Sequence, residues 1–258
     1  MGKIIIPVRN EEESIQFVLE DILNSKLVDK SDILVVDNGS TDNSIAKVNE
    51  LGVFHLTEPI PGYGAACLRA LAYLEEKKIN TDWILFMDGD RSDSVADIPR
   101  LLQPIQSGEA DFVIGDRTFN KQNKHALEPL QRFGNLLICF LIRIFYFQSF
   151  RDLGPFRVIR YESLKRLSLK DNSWGWNVEM QVRAIQEKLK IVEVPVTYRK
   201  RHAGKSKISG NKKMILPVGF KMLSIFFYLL ILKDKYYFFK YILKVSIVSF
   251  VLHLFING

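Results

Sequence analysis

Cysteine is nearly absent from this chain of 258 residues: Cys67 and Cys139 are the only two. That excludes a disulfide scaffold and any cysteine-rich zinc or iron–sulfur site. Histidine is as sparse. His55, His125, His202 and His253 lie too far apart to form a local metal cluster. There is no internal repeat and no low-complexity linker. The N-terminus reaches Pro7 and Arg9 soon after Ile4-Ile5-Ile6, too early for a secretory leader, so the expected compartment is the cytoplasm. The Gly-x-Gly-x-x-Gly spacing of a dinucleotide site is also missing. The nearest stretch, Pro61-Gly62-Tyr63-Gly64-Ala65-Ala66, follows the third strand candidate, where it is either a close-packing turn or a helix start whose free N–H groups meet an anion.

Acids are missing from one end of the chain. From Arg199 onward there are 12 Lys/Arg against a single acid, Asp234, whereas residues 1–198 carry 24 basic and 28 acidic side chains. The basic stretch is interleaved with apolar residues, as in Ile225-Phe226-Phe227-Tyr228-Leu229-Leu230, which favours an anionic membrane surface over nucleic acid. The bland alternative is a buried pair of C-terminal helices. Ile215–Leu232 and Tyr236–Ile256 each approach the ~20 apolar residues of a spanning helix. Both carry lysine and the first contains Pro217, so helices lying in the interface fit equally well. The division expected is a catalytic domain over 1–211 and a membrane-associated helical tail over 212–258.

With 47% hydrophobic and 25% charged residues, the rest is ordinary globular sequence. Strand candidates are Lys3–Val8, Asp32–Asp37, Val53–Leu56, Trp83–Met87, Asp111–Gly115 and Ile191–Tyr198. Helical spacing fills Glu12–Asn24, Asn43–Glu50, Ala65–Lys77 and Ile98–Gln106. The runs Ile33–Val36 and Trp83–Met87 are apolar throughout, as in strands covered on both faces. Alternating strand and helix predicts an open α/β sheet with ligands at the carboxyl ends of its strands.

Asp88-Gly89-Asp90 follows such a buried run. Residues two apart in extended chain point the same way, so both carboxylates face one side, and Gly89 leaves room for a ligand. Two hard oxygen donors there suit Mg²⁺ or Mn²⁺ bridging a diphosphate. Asp93 either supports that site or caps the next helix. Asp37 ends another strand, where a carboxylate can accept from a ribose hydroxyl or a base N–H. Gly39-Ser40-Thr41 then turns the chain, and Pro7-Val8-Arg9-Asn10-Glu11-Glu12 closes the first strand in similar fashion.

Taken in order, Ile6–Glu11, Val36–Asp42 and Asp88-Gly89-Asp90 resemble the inverting family-two glycosyltransferases of GT-A fold. Gly115-Asp116-Arg117, Gln131–Asn135, Asp152–Arg157 and Arg201–Lys207 are similar to the branch of dolichyl-phosphate mannose and glucose synthases. The resemblance spans roughly residues 4–211. It implies a mostly parallel sheet with helices on both faces, a nucleotide-sugar donor, a divalent cation and a polyprenyl-phosphate acceptor. It places Pro7, Val8, Glu11 and Asp37 around the nucleotide, and Asp88 and Asp90 at the metal. Arg117 and Arg132 fall at the acceptor phosphate, and Arg201 and Lys207 on a lid over the donor phosphates. The chain departs from the pattern at Asn38, where a second acid is common, and at Arg91-Ser92-Asp93, where mannose synthases carry Leu-Gln. UDP- and GDP-linked donors both stay open.

The basic residues make chemical sense independently, because the departing diphosphate gathers negative charge that Lys and Arg can stabilise. A phosphate acceptor is largely dianionic at pH 7 and needs no general base. An alcohol acceptor needs one, and Asp152 and Glu179 are the candidates. Trp174 and Trp176, near Glu179, either stack on a sugar or belong to the core. Leu136–Phe147 either admits a prenyl chain or is core. The rival functions are transfer to a sugar hydroxyl and non-catalytic nucleotide or lipid binding. The oligomeric state is not legible.

Overall fold

The computed structural model describes residues 2–120, 123, 126–202, 212–233 and 242. Strands β1 (Lys3–Val8), β2 (Ile33–Asp37), β3 (His55–Thr57), β4 (Trp83–Phe86), β5 (Phe112–Asp116), β6 (Arg157–Arg160) and β7 (Ile191–Pro195) form one sheet in the order β3-β2-β1-β4-β6-β5-β7. Only β6 runs antiparallel to its neighbours, β4 and β5. Around the sheet lie α1 (Ile15–Ser25), α2 (Ser44–Glu50), α3 (Tyr63–Glu76), α4 (Ile98–Gln106), α5 (Pro129–Tyr146), α6 (Tyr161–Leu167), α7 (Trp176–Gln186) and α8 (Lys212–Tyr228). The expected α/β architecture is present, and each expected strand appears with its ends shifted by at most three residues.

Strand side chains alternate between two apolar layers, as period-2 geometry requires. Ile5, Leu34, Val36, Ile84, Phe86, Phe112 and Ile114 pack against α3, α5, α7 and α8. Ile4, Ile6, Ile33, Val35, Leu85 and Val113 pack against α1, α2 and α4. Because both layers are dry, the strands read as continuous apolar runs rather than as alternating ones.

The one strand without a counterpart in the sequence patterns is β6. It has four residues, begins and ends in arginine, and follows Gly154-Pro155, so it lacks the apolar run that marks the other strands. Arg157 is nonetheless fully buried. Its guanidinium donates to the carbonyls of Leu153 (3.0 Å), Gly154 (2.9 Å from Nε) and Asn177 (3.3 Å). Burial pushes it down to about 10.

Within the tail expected from residue 212, the described residues pack against the preceding domain. Val218, Phe226, Leu229 and Leu230 are buried, and the last three belong to the same apolar layer as α3, α5 and α7. Lys221, the one charge in the first apolar segment, reaches Asp171 at 2.6 Å instead of a membrane interface. The inward face of α8 therefore joins the domain's core. Among the described residues no helix is long and apolar enough to cross a membrane. The second apolar segment, Tyr236–Ile256, lies outside the described residues apart from Ile242.

Phe226→Ala is expected to cost about 3–5 kcal/mol, as for other buried aromatics, and to lower the melting temperature by roughly 10 °C. Thermal unfolding followed by circular dichroism checks this; an unchanged melt excludes α8 from the core.

Candidate active site

The strand order creates the site. From β1 the chain steps to β2 and β3 on one side, while β4 lies on the other, so a crevice opens at the carboxyl ends of β1 and β4. The segments leaving β1, β2 and β4 meet there.

The first two are stitched together. Asn10 adopts a left-handed φ of 53°, and its Oδ1 accepts from Thr41 N at 2.7 Å. Ser40 Oγ accepts from Asn10 N, and Ser44 Oγ from Glu11 N. Asp37 is buried at the end of β2, with Oδ1 accepting from Ser40 N at 2.9 Å. Val8 contributes backbone only: its side chain is in the core and its carbonyl accepts from Asn38 N. Pro7 is half-buried beside it.

Asn38 explains one departure from the family pattern. Its amide donates to the carbonyls of Glu58 (3.1 Å) and Ile60 (2.8 Å), while Oδ1 accepts from Gly62 N (2.7 Å). A carboxylate could not make the two donations. The side chain is thus a clamp on the turn before α3. That turn is not an anion site, since Gly64 N and Ala65 N already donate to the carbonyls of Ser173 and Asn172. A Cβ on Gly62, at a φ of +150°, would lie 2.0 Å from the Asn172 carbonyl oxygen. The glycines are there for close packing.

Asp88 and Asp90 stand half-buried beyond β4. Asp93 supports them, with Oδ2 accepting from Asp88 N at 3.1 Å, which resolves its alternative readings in favour of the site. Gly89 faces the core and does not open the expected space for a ligand. A Cβ there would meet Val8 Cγ2 at 3.1 Å and Ile15 Cδ1 at 3.4 Å, because the residue between two outward carboxylates faces inward. Arg91 is left-handed, with φ 64°, a conformation costing roughly 1–2 kcal/mol. Its side chain runs back to Asp21 (3.1 Å) and over the Phe17 ring (4.8 Å).

The stem of the expected lid is pinned here. Arg199 N donates to Ser92 O, and His202 N to Asp90 O. Arg201 Nη2 lies 2.5 Å from Glu11 Oε1, and its Nε lies 3.6 Å from Asp90 Oδ2. Glu11, Asp90 and Arg201 are thereby brought together, while Lys207 lies outside the described residues. Burial, then Asp90 and Asp93, push the Asp88 carboxyl well above the usual carboxylate range.

Among the described residues no group of three His, Cys, Asp or Glu side chains is preassembled as a metal cage. The donor set still fits Mg²⁺ or Mn²⁺, which are commonly held by one or two carboxylates completed by substrate phosphates. Asp88 and Asp90 would be the ligands. Next to them Ser92 Oγ and Asp93 Oδ1 are buried without hydrogen-bond partners, so oxygen donors are in surplus.

A second network surrounds Arg117 at the end of β5. Asp152, fully buried, accepts from Arg117 N and Nε through Oδ2 (2.9 and 2.7 Å), and from Nη2 through Oδ1 (2.8 Å). Burial opposes the Arg117 charge, but Asp152 more than offsets it and keeps the guanidinium protonated. Tyr198 lies under it, 5.0 Å from Cζ to ring centroid. Arg132 is exposed on α5. One turn along, Asn135 accepts from Leu153 N and donates to Arg151 O, tying that helix to the Asp152 loop.

Both candidate bases are otherwise engaged. Asp152 is saturated by Arg117 and Leu153 N. Glu179 is buried, accepting from Lys170 N, Asp171 N and Arg183 Nε. Trp176 is core, edge-on to Phe86 at 6.0 Å. Two supporting residues carry no signal in the sequence: Asn123 and Glu193. Asn123 holds Arg117 O, Val196 O and Tyr198 N with one amide. No pattern in Lys-Gln-Asn-Lys marks it.

Residues 3–168 match the family model described as "Glycosyl transferase family 2". The chain belongs to that family. An uncharacterized glycosyltransferase of Mycobacterium tuberculosis is 32% identical over 209 residues, 81% of this chain and 89% of that one. An undecaprenyl-phosphate mannosyltransferase of Micrococcus luteus is 29% identical over 218 residues, 80% and 87% of the two chains. Among solved structures, glucosyl-3-phosphoglycerate synthase of Mycobacterium tuberculosis, in complex with Mn²⁺, UDP-glucose and phosphoglyceric acid, superposes with a TM-score of 0.65. It is 20% identical and covers 87% of this chain and 78% of its own, which establishes the shared GT-A fold.

In this family-two glycosyltransferase, Asp90→Ala is expected to lower turnover by about 10³-fold or more, in line with the loss of electrostatic stabilisation at a leaving group. The melt should change little, since Asp90 is only half-buried. Full activity in that variant refutes the metal assignment.

A second expectation concerns Glu193, which accepts from Arg151 N and Asp152 N. Burial, with Asp116 and Asp152 adding to it, raises it to about 7 from 4.5. A raised carboxyl binds its proton more tightly folded than unfolded, so its contribution to stability falls as pH rises from 4.5 through 7. Glu193→Gln keeps an acceptor oxygen and should flatten that part of the stability profile, measured by urea unfolding at pH 5.5 and pH 8. Parallel profiles for the two proteins contradict the assignment.

Proposed function

We propose that this glycosyltransferase moves a hexosyl group from a UDP- or GDP-linked sugar to a polyprenyl-phosphate-type lipid, with inversion, at the cytoplasmic face of the membrane. An oxygen of the acceptor phosphate attacks the anomeric carbon. The bond from that carbon to the diphosphate breaks, and the nucleoside diphosphate leaves with the electron pair. Mg²⁺ or Mn²⁺, held by Asp88 and Asp90, would neutralise charge on that leaving group.

The chain's own residues have distinct tasks in this reading. Asp37 and Glu11, on loops stitched by Asn10, Ser40 and Ser44, hold the nucleoside side of the donor, with Pro7 and the Val8 backbone lining it. Arg201 sits against Glu11 and Asp90, and Lys207 follows it on the lid; both move onto the donor phosphates. Arg117 and Arg132 orient the acceptor phosphate, Arg117 in a position set by Asp152.

The observation that carries the choice of a phosphate acceptor is the engagement of Asp152 and Glu179. An alcohol must surrender a proton during attack, and both candidate acids are buried and saturated by N–H donors. A phosphate monoester, with a second pKa near 6, attacks without that help. Similarity to an undecaprenyl-phosphate mannosyltransferase supports the same choice. Membrane association rests on the basic, apolar chain after Arg199.

The full chain, given radiolabelled UDP-glucose or GDP-mannose with Mn²⁺ and undecaprenyl phosphate, should yield an organic-soluble, acid-labile product. Arg132→Ala should raise KM for the lipid by roughly 10-fold, the loss of one charge-assisted hydrogen bond, while leaving nucleotide affinity unchanged. Label transferred only to a water-soluble sugar alcohol, with none in the lipid fraction, overturns the proposal.

A further inference from the structure

Helix α5 is apolar on two opposite sides. Ile138, Cys139, Ile142 and Tyr146 face the core. On the far side Phe133, Leu136 and Phe140 are 62%, 68% and 54% exposed. Their spacing of three and four residues makes one continuous stripe, and Phe147 extends it. α8 repeats the arrangement. Val218 and Phe226 face inward, while Phe220 and Phe227 are seven residues apart on the outward side, with Ile231 of the following π-helical turn continuing their line. The two helices are neighbours: Phe145 of α5 lies 5.9 Å from Phe226 and 6.4 Å from Phe227, centroid to centroid. Soluble monomers seldom present so many large apolar side chains together unless the patch binds something.

We propose that the outward faces of α5 and α8 form a platform that seats this domain on an anionic lipid bilayer. Charge selects this occupant. On α5 Arg132 and Arg143 are exposed beside the stripe, and neither helix contains an acid. A second copy would set this basic surface against itself. Residues 234–258 add Lys235, Lys240 and Lys244 against Asp234 alone, so they do not neutralise it either. Anionic headgroups do, while the phenyl rings enter the headgroup–acyl boundary as in interfacial helices. The inference rests on the membrane reading above and deepens it. The globular domain has its own contact with the bilayer, separate from residues 234–258, and Arg132 lies on the seated helix.

The test uses the full chain labelled with an environment-sensitive fluorophore at Leu136→Cys or Phe220→Cys, the two native cysteines being buried. Asn49→Cys, exposed on α2 against the opposite layer, is the control. Phosphatidylcholine vesicles containing phosphatidylglycerol should give a several-fold, blue-shifted rise at 136 and 220, with none at 49. Vesicles of phosphatidylcholine alone should give much less. Arg143→Gln should weaken binding roughly fivefold, the effect of one basic residue near an anionic surface. If the chain floats with the vesicles but positions 136 and 220 do not respond, the platform is refuted while membrane attachment through residues 234–258 stands. Absence of flotation overturns both. A blue-shifted label in lipid-free buffer shows the stripe covered by the chain's own C-terminal residues or by a second copy, and refutes the platform as well.

Discussion

Crowded negative charge at the ends of parallel strands is the constraint around which this protein is arranged. Asp88, Asp90, Asp93 and Glu11 converge where β1 and β4 diverge from the rest of the winding. Like charges in a partly dry crevice repel, and the Asp88 carboxyl responds by holding its proton more tightly. Such crowding raises the cost of ionising each acid, and positive charge brought close lowers it. The Arg201 guanidinium meets part of that demand, against Glu11 and 3.6 Å from Asp90. The residue expected to grip donor phosphates thus already rests on the acids below them.

Around this centre the fold invests in rigidity. Short polar side chains tie the loop after β1 to the loop after β2, and Asn38 ties the latter to the turn before α3. On the other flank, the loop at 151–154 receives Asn135 from α5, Glu193 from β7, Gln181 from α7 and the Arg117 guanidinium. Each is a hydrogen bond between segments distant in the chain. Such bonds restrict a loop to one shape where each polar group is satisfied. Arg157 shows the same economy: with carbonyl partners around it, a buried cation serves as a brace for loop 153–154.

α8 links the catalytic core to the basic C-terminal region. Its inward face completes the apolar layer, and Lys221 bonds the turn that receives the glycines of α3. Its outward face continues the apolar stripe of α5. The catalytic core and this apolar surface are therefore one packed unit.

Much was legible in the residues because its physics is local. Continuous apolar runs marked the buried strands, helical spacing marked α1 to α4, and Asp-Gly-Asp after a buried run marked the acidic centre. Those features need only neighbours along the chain. The sequence could not show that Gly89 faces the core, that Asn38 is a clamp, or that Asp152 and Glu179 are spent on internal partners. It could not reveal β6, whose burial comes from strands on either side, nor that the apolar segment at 215–232 turns one face to the core and the other outward. Composition and periodicity determined the class of fold and the chemistry on offer. Which acids stay available, and which apolar faces stay uncovered, only tertiary packing decided, because a hydrogen-bond partner or a covering side chain can come from a hundred residues away.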